Sequence, residues 1–258
     1  MSLLAHPTAV IDGSARMGQD VEIGPYVVIG PEVGVGDGCR LGPHVVLERN
    51  VRLGNEVQVG AGAVLGSLPQ DRKYQGEETW VEVGPRTVIR EYATVNRGTA
   101  ATGATTIGAD CFLMTYVQVA HDCRIGDGVT IANPTQLSGH VTVEAQAFLS
   151  GLIAVHQFVT IGTHAFVGGA SRVSQDLPPY VKAGGNPVRL CGLNSVGLTR
   201  AGFTPEVLSG LKHAYRLLFN DPRPRAAALA TLPPEFGRLP EVARLIGFVG
   251  GARRGVPA

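Results

Sequence analysis

The fold of this chain is decided by residues 23 to 65, which read IGPYVV IGPEVG VGDGCR LGPHVV LERNVR LGNEVQ VGAGAV L. A large aliphatic residue opens each group of six. The same step runs through residues 11 to 173, and 25 of its 28 positions carry Ile, Leu, Val or Met. The exceptions, Asp71, Glu77 and Ala101, lie in two stretches rich in polar and turn-forming residues. They predict excursions out of a regular coil rather than ends of the repeat.

A period of six residues is too short for a helical repeat and is typical of a parallel β-helix, in which each hexapeptide forms one short strand and a turn. Three hexapeptides then close one triangular coil. We therefore predict a mainly β chain with a β-helix domain over residues 1–185. The paired prolines of DLPPY, residues 176–180, are expected to end the coils because proline lacks a donor for the strand ladder.

The remaining residues, 186–258, predict a small helical C-terminal domain. Residues 205–219 place apolar side chains on one helical face, and Thr204 with Pro205 supplies an N-cap and a first-turn proline. Two more short helices are expected up to Val249, followed by a loose tail after Gly250.

Composition excludes several classes of protein. The chain has 22 basic and 21 acidic residues, so it lacks the positive charge that nucleic-acid binding requires. Apolar residues are spread at period six, and none of their runs approaches the roughly 18 residues of a spanning helix, so we expect no stable membrane insertion. The start, MSLLAHPTAV, lacks the features of a secretion signal, and a cytoplasmic protein is predicted. Cys39, Cys111 and Cys123 are predicted to be core residues.

The coil period also predicts which histidines lie together. Residues 18 apart stack on successive coils about 4.8 Å apart, which puts His121, His140 and His156 along one edge within about 10 Å. Stepping back from residue 121 by 18 residues at a time gives positions 103, 85 and 67 on the same edge. Both excursions, 67–80 and 97–106, are therefore expected to leave the coil near this edge, where we predict the functional site.

Two chemistries suit such an edge. A neutral His121 could act as a general base with Asp122 as its orienting carboxylate, because neighbours in sequence can interact at a turn. Imidazoles from successive coils could instead bind zinc. Asp71 and Lys73 in the first excursion suit binding of a sugar or phosphate, although they would equally suit a solvated loop.

Several motifs resemble those of the UDP-N-acetylglucosamine O-acyltransferase family, which performs the first acylation of lipid A biosynthesis. They occur in the family's order and span nearly the whole chain: HPTAVI, IGPYVVIGP, QDRKYQGE, VIREYATVNRGT, AHDCRIGD, LSGHVTV, AVHQFVTIG, VGGASRVSQDLPPYVKAGGNP and RAGF. The resemblance implies a cytoplasmic homotrimer of left-handed β-helices with active sites between subunits. It also implies a 3-hydroxyacyl donor on acyl carrier protein, the 3-hydroxyl of UDP-N-acetylglucosamine as acceptor, and no metal or other cofactor.

The resemblance also implies residue roles. His121 matches the general base, Asp122 its orienting carboxylate, and the Gly139 N–H the donor to the thioester oxyanion. The substrate groove is matched by His140, His156 and Gln157, the acceptor-binding loop by Gln70, Asp71 and Lys73, the nucleotide and donor-phosphate contacts by Asn194 and Arg200, and the acyl-chain ruler by Phe166, Gly169 and Pro187.

The chain departs from the family pattern at four positions. Gln118 and Asn96 stand where histidines are common, Val196 where an acidic nucleotide contact is common, and Ala201 where a second arginine often follows Arg200. These departures leave open an acceptor with a 3-amino group, or another nucleotide amino sugar, either of which would give an amide product. A catalytically silent β-helix and a zinc-dependent hydratase are the alternatives from other classes.

The length of the acyl chain is a further open specificity. Gly169 leaves room and favours a long chain, whereas the bulk of Phe166 favours a short one. Our hypothesis is a long 3-hydroxyacyl group. One methylene contributes about 1 to 3 kcal/mol of discrimination, so single side chains can decide the length.

Overall fold

The computed structural model describes residues 3–257, a stretch that contains 28 short strands followed by five helices. The strands are β1 Leu3–Ala5, β2 Val10–Ile11, β3 Arg16–Met17, β4 Val21–Ile23, β5 Val28–Ile29, β6 Gly34–Val35, β7 Arg40–Leu41, β8 Val46–Leu47, β9 Val51–Leu53, β10 Gln58–Val59, β11 Val64–Ser67, β12 Trp80–Val83, β13 Val88–Ile89, β14 Thr94–Asn96, β15 Ala104–Ile107, β16 Phe112–Leu113, β17 Gln118–Val119, β18 Arg124–Ile125, β19 Thr130–Ile131, β20 Gln136–Leu137, β21 Thr142–Val143, β22 Phe148–Leu149, β23 Ala154–Val155, β24 Thr160–Ile161, β25 Phe166–Val167, β26 Arg172–Val173, β27 Val181–Gly184 and β28 Arg189–Leu193. The helices are α1 Ser195–Arg200, α2 Pro205–Phe219, α3 Arg225–Leu229, α4 Pro234–Gly237 and α5 Pro240–Gly251.

Up to β26, every third strand belongs to the same sheet, which gives the three walls of a prism. Sheet A runs from β1 through β4 and β7 up to β28, sheet B from β2 through β5 to β26, and sheet C from β3 through β6 to β24. Pairing within each wall is parallel except between β27 and β28. The repeated aliphatic residues point inward, and Ile29, Leu47 and Leu65 are fully buried. The predicted β-helix is confirmed.

The chain turns from wall to wall at three edges, which we name by the sheets they join. Residues 120–123, 138–141 and 156–159 belong to the B/C edge. Many corner residues adopt left-handed backbone conformations; on the B/C edge these include Asp122 (φ 61°), His140 (φ 62°) and Phe158 (φ 65°). A repeat of sharp corners requires this conformation, and it directs successive side chains of one edge outward in a ladder.

The two predicted excursions leave from the B/C edge, but the downward extrapolation by 18 residues is wrong. Leu65 pairs with Val95, 30 positions later, and Val95 with Val119, 24 positions later. The excursions therefore add 12 and six residues to single coils, so the true column below position 121 is 97 and then 67. Both lengths are multiples of six, which is why the hexapeptide register never slips while the coil register does.

The end of the coil differs from the prediction. DLPPY ends sheets B and C, but sheet A continues into β27, which pairs parallel with β25, and β28 then adds antiparallel. The prolines occupy a corner where no ladder donor is required, and Tyr180 N–H resumes the pattern by donating to Thr163 O. The division of the domains at 185/186 stays a prediction, and its outermost residues, Met1, Ser2 and Ala258, lie outside the described residues.

The C-terminal helices pack around α2. The predicted helix over 205–219 is confirmed: the Thr204 side chain accepts from Val207 N–H, and Pro205 opens the helix. Three helices follow rather than two, and α1 precedes α2. Tyr180 joins this second core with Leu198 and Leu211, so the helical part is anchored on the end of the prism.

The tail after Gly250 is not loose as predicted. Asp176 N–H donates to Gly255 O, its carboxylate accepts from Arg254 N–H, and the Gln175 side chain donates to Val256 O. The tail therefore docks on the upper end of the B/C edge. Asp176 Oδ1 is paired within the prism by Thr160 N–H, and the tail pairs the groups that remain, which are Asp176 N–H and Oδ2.

Candidate active site

The turn between β17 and β18 brings His121 and Asp122 together on the B/C edge. The left-handed backbone of Asp122 folds its carboxylate back onto the preceding ring, and His121 Nδ1 lies 2.7 Å from Asp122 Oδ2. His121 is 9% exposed and Asp122 2%. With Nδ1 on the carboxylate, Nε2 is the nitrogen left to meet a substrate.

The second excursion holds the Asp122 carboxylate. Thr99 donates to it twice, from its N–H to Oδ1 and from its hydroxyl to Oδ2, each at 2.9 Å. The Thr102 hydroxyl donates to Oδ1, and the Thr105 hydroxyl accepts from Asp122 N–H at 2.8 Å. Burial alone would raise the pKa of Asp122, but the hydrogen bonds from Thr102, His121 and Thr99 outweigh it and hold the pKa below its ordinary value. The carboxylate is therefore ionised.

The other two histidines are placed differently. His140 lies one coil above, edge-on to the His121 ring at 5.1 Å between centroids, and stacks on Phe158 at 4.5 Å. Its Nε2 is 3.6 Å from Asp122 Oδ2, beyond hydrogen-bond distance. His156 is one coil higher and exposed, and its Nδ1 lies 3.0 Å from the carbonyl of Gln157. The structure thus joins His121 and His140, while His156 lies beyond them.

Gly139, on the coil above, packs against the His121 ring. A β-carbon on Gly139 would lie 2.6 Å from His121 Nε2, so only glycine allows this approach. Within the described residues, the Gly139 N–H donates to no backbone or side-chain acceptor. It is therefore free to serve an external acceptor beside the imidazole.

A groove of about 370 Å³ opens beside the ring, lined by Gln70, Gln118, Ala120, His121, Gln136, Leu137, Ser138, Gly139 and Gln157. The first excursion reaches it through a 3.3 Å hydrogen bond from Gln118 to Gln70. Asn96 holds the base of the same excursion by donating to Leu68 O. Asp71 and Lys73 lie further out on this loop, where Asp71 accepts from Lys73 N–H, and they do not line the groove in a single chain.

The remaining predicted residues lie on a different part of the prism. Phe166 is on the outer face of sheet A, stacked on Phe148, and Gly169 is in the following A/B turn, where a β-carbon would approach Gly151 O at 3.2 Å. Pro187 is in the hairpin between β27 and β28. Asn194 caps α1, and Arg200 ends it exposed. One chain therefore divides the predicted residues into a B/C-edge set and a sheet-A set.

The departures from the family pattern also have defined surroundings. Gln118 and Asn96 hold the first excursion, as described above. Val196 is 65% exposed on α1, and Ala201 follows the last turn of that helix. Neither supplies a charge near Asn194.

One cluster has donor atoms close enough to hold a metal ion. The ligand atoms of His121, Asp122 and His140 lie within 4.8 Å of one another. However, His121 Nδ1 and both Asp122 oxygens are already engaged in hydrogen bonds with each other and with Thr99 and Thr102. A metal would have to displace these bonds, so the donor set fits a hydrogen-bonded dyad better than a metal centre.

The three threonines that surround Asp122 were not among the residues predicted from the sequence. Their even spacing, Thr99, Thr102 and Thr105, was the available signal. The spacing alone does not place the threonines near Asp122, because that placement depends on the coil pairing, which puts this loop directly beneath residue 121.

Comparison with known proteins identifies the family of this chain. The model of the second domain of UDP N-acetylglucosamine O-acyltransferases matches residues 176–257, and the bacterial transferase hexapeptide model matches residues 14–49, 33–67 and 104–139. An acyl-[acyl-carrier-protein]–UDP-N-acetylglucosamine O-acyltransferase of Thiobacillus denitrificans is 44% identical over 97% of this chain and 98% of its own length. The chain belongs to the UDP-N-acetylglucosamine O-acyltransferase family.

Solved structures of the same family match over the full fold. The enzyme from Bacteroides fragilis superposes with a TM-score of 0.95 at 36% identity, over 99% of this chain and all of the other. The family member from Acinetobacter baumannii gives 0.94 at 38% identity with the same coverage. These matches confirm the family resemblance that the motifs indicate. They also confirm the left-handed β-helix that the resemblance implies. Among residues 3–257, no helix is long and apolar enough to span a membrane.

Proposed function

We propose that this protein transfers a 3-hydroxyacyl group from acyl carrier protein to the glucosamine 3-hydroxyl of UDP-N-acetylglucosamine, the first acylation of lipid A biosynthesis. The observation that carries the proposal is the 2.7 Å contact of His121 Nδ1 with a buried, ionised Asp122, which leaves Nε2 beside an open groove. Family relatives named for this reaction support the same substrates.

The dyad supplies the chemistry of acyl transfer. His121 Nε2 takes the proton of the acceptor hydroxyl as its oxygen attacks the thioester carbonyl carbon, and Asp122 stabilises the imidazolium that forms. The tetrahedral intermediate then collapses, the C–S bond breaks, and the phosphopantetheine thiolate takes the proton from His121. The acceptor gains an ester, and the carrier protein leaves with a free thiol.

The oxyanion of the intermediate requires a donor close to the base. Gly139 N–H suits this role, since it has no other acceptor in the described chain and lies against the imidazole. An N–H that is fixed before reaction stabilises the developing charge without reorganisation, an effect that contributes about 3 to 4 kcal/mol in known oxyanion holes.

A homotrimer would unite the two sets of predicted residues. Among the described residues, no exposed large apolar side chain lies on sheet C. Most of them lie on sheets A and B or on the edge between these sheets, and the others lie on the first excursion, the B/C edge and α1. Sheet C instead presents Arg16, Arg52 and Arg124. With the A/B edge on a threefold axis, sheet B of each chain would face sheet A of the next.

In that arrangement the groove at His121 would meet the neighbour's sheet A and its extension. Phe166, Asn194 and Arg200 of the neighbour would then approach the groove, as acyl-chain and nucleotide contacts require. We expect a trimer in solution, a cytoplasmic location where nucleotide sugars and carrier protein occur, and turnover without metal or other cofactor.

The test is transfer from 3-hydroxyacyl carrier proteins of increasing chain length to UDP-N-acetylglucosamine and to its 3-amino analogue. We expect an ester product and preference for a long chain. Exclusive amide formation would overturn the proposed acceptor, and a clear preference for about ten carbons or fewer would overturn the hypothesis of a long chain. Absence of transfer to either acceptor would reject the proposed function.

A further inference from the structure

The Asp122 carboxylate has a full set of hydrogen-bond donors. A carboxylate offers about four acceptor positions, two on each oxygen. Oδ1 accepts from the Thr99 N–H and the Thr102 hydroxyl, and Oδ2 accepts from the Thr99 hydroxyl and His121 Nδ1. The site is therefore saturated by one loop and one imidazole.

Saturation matters because two imidazoles compete for the same oxygen. His140 Nε2 is 3.6 Å from Oδ2 and is held there by its stack on Phe158, a small displacement from hydrogen bonding. The Thr99 hydroxyl occupies the second position on Oδ2. As long as it does so, His121 is the imidazole bound to Asp122.

The Thr102 hydroxyl has one proton and two acceptors within reach, the Asp122 carboxylate and Ala104 O at 2.9 Å. The carboxylate is charged and nearer, so it receives the proton. Thr99 in turn accepts from Ala101 N–H at 3.2 Å while donating to Asp122, which fixes the direction of its own hydroxyl.

We infer that Thr99 and Thr102 are positioning residues for acyl transfer, which fix the Asp122 carboxylate on His121 and keep it from His140. This inference rests on the proposed function of His121 as general base. It assigns a purpose to the second excursion: the six extra residues of this coil deliver two hydroxyls and one N–H to the carboxylate of the coil above.

The excursion is itself framed by backbone contacts. Trp80, where the first excursion rejoins the coil, donates from its N–H to Gly103 O and accepts from Gly98 N–H. Thr99 is 8% exposed, whereas Thr102 is exposed on the loop surface. A substitution of Thr102 therefore tests the hydroxyl with little risk to the fold.

The two hydroxyls also bear on pH dependence. The titratable groups that face Asp122 are the imidazoles of His121 and His140 and the Cys123 thiol. Burial raises the pKa of Asp122, and removal of a donated hydrogen bond takes away one of the contacts that offset burial, so this pKa rises. The carboxylate then becomes neutral at a higher pH on acidification, so the part of the acidic loss of activity that follows Asp122 moves upward in pH.

The experiment compares Thr99→Val and Thr102→Val with Thr99→Ser and Thr102→Ser, which retain the hydroxyl. Thr142→Val on the outer face of sheet C is the matched control, since no hydrogen bond involves its side chain in the described structure. For each folded variant, kcat, the KM of the acceptor and the pH profile of kcat are measured.

We expect each valine variant to lower kcat by about 10- to 100-fold with an unchanged acceptor KM, and to move the acidic limb upward in pH. The serine variants should recover most of the activity, and Thr142→Val should match the wild type. If the wild type is active and Thr102→Val has the same kcat and pH profile, the inference about the threonines is overturned, whereas the proposed function is not. If Thr99→Val does not fold, Thr102→Val and Thr99→Ser still decide it. An inactive wild type would instead reject the proposed function.

Discussion

The imidazole of His121 packs directly against the backbone of Gly139, so closely that a β-carbon on Gly139 would lie 2.5 Å from Cε1 and 2.6 Å from Nε2. The base and the proposed oxyanion donor are therefore one unit, although they stand on successive coils. The stacking of coils sets their separation, and the absence of a side chain at position 139 permits it.

Gly139→Ala should reduce turnover strongly while the prism stays folded. The added methyl group must displace the His121 ring, and a misplacement of about 1 Å can reduce kcat by about 100-fold. Gly34→Ala is the matched control, because its β-carbon would meet nothing within 4 Å. Steady-state kinetics and melting temperature of both variants check this; equal activity of the two would contradict the proposed packing of the site.

Asp122→Asn should lower kcat by up to about 10⁴-fold, because an amide can present the wrong partner to His121 Nδ1. The pKa of Asp122 is depressed in the folded protein, so its charge is present above its ordinary pKa and is lost only as pH falls through the lowered value. If the wild type loses activity near neutral pH, protonation of Asp122 should therefore not be the cause. A folded Asp122→Asn variant with wild-type kcat would exclude the dyad.

Lys73→Ala should mainly raise the KM of the acceptor. Lys73 is exposed on the first excursion, away from the dyad, and a cation there suits the sugar nucleotide rather than the reacting atoms. Arg72→Ala, which removes a neighbouring charge from the same loop, is the control. An acceptor KM that is equal in Lys73→Ala and the wild type would remove this loop lysine from the binding site.

Asp176→Ala should destabilise the fold by about 2 to 3 kcal/mol, because it removes a buried carboxylate that accepts from Thr160 N–H and from Arg254 N–H of the tail. Asp110→Ala, which breaks an exposed ion pair with Arg86, should change stability little. Urea unfolding of both variants measures the difference. Equal midpoints would show that the docked tail contributes nothing to stability.

The prism could be predicted well from the sequence because its core obeys one local rule. An aliphatic residue every six positions points inward, and even the residues that break the rule, Asp71, Glu77 and Ala101, mark the three extra hexapeptides of the excursions. The buried Cys39, Cys111 and Cys123 follow from the same register and are confirmed as core residues.

Other features depend on contacts that no local rule contains. Docking of the tail on Asp176 joins residues 78 positions apart, and the Thr99 and Thr102 contacts with Asp122 follow from an insertion whose length alters the coil register. The coil period placed His121 and His140 on one edge, but which of them binds Asp122 depends on distances of 2.7 and 3.6 Å.

The role of His121 as the general base is tested most directly by acyl transfer with the His121→Ala variant beside the wild type, with the folding of each followed by melting temperature. A base of this kind contributes about 10²- to 10⁴-fold. The His121 imidazole is buried at a turn but lies outside the aliphatic core, so its removal should leave the fold intact. We predict nearly complete loss of turnover with an intact fold. Substantial turnover in a folded His121→Ala variant would contradict the assignment of the base.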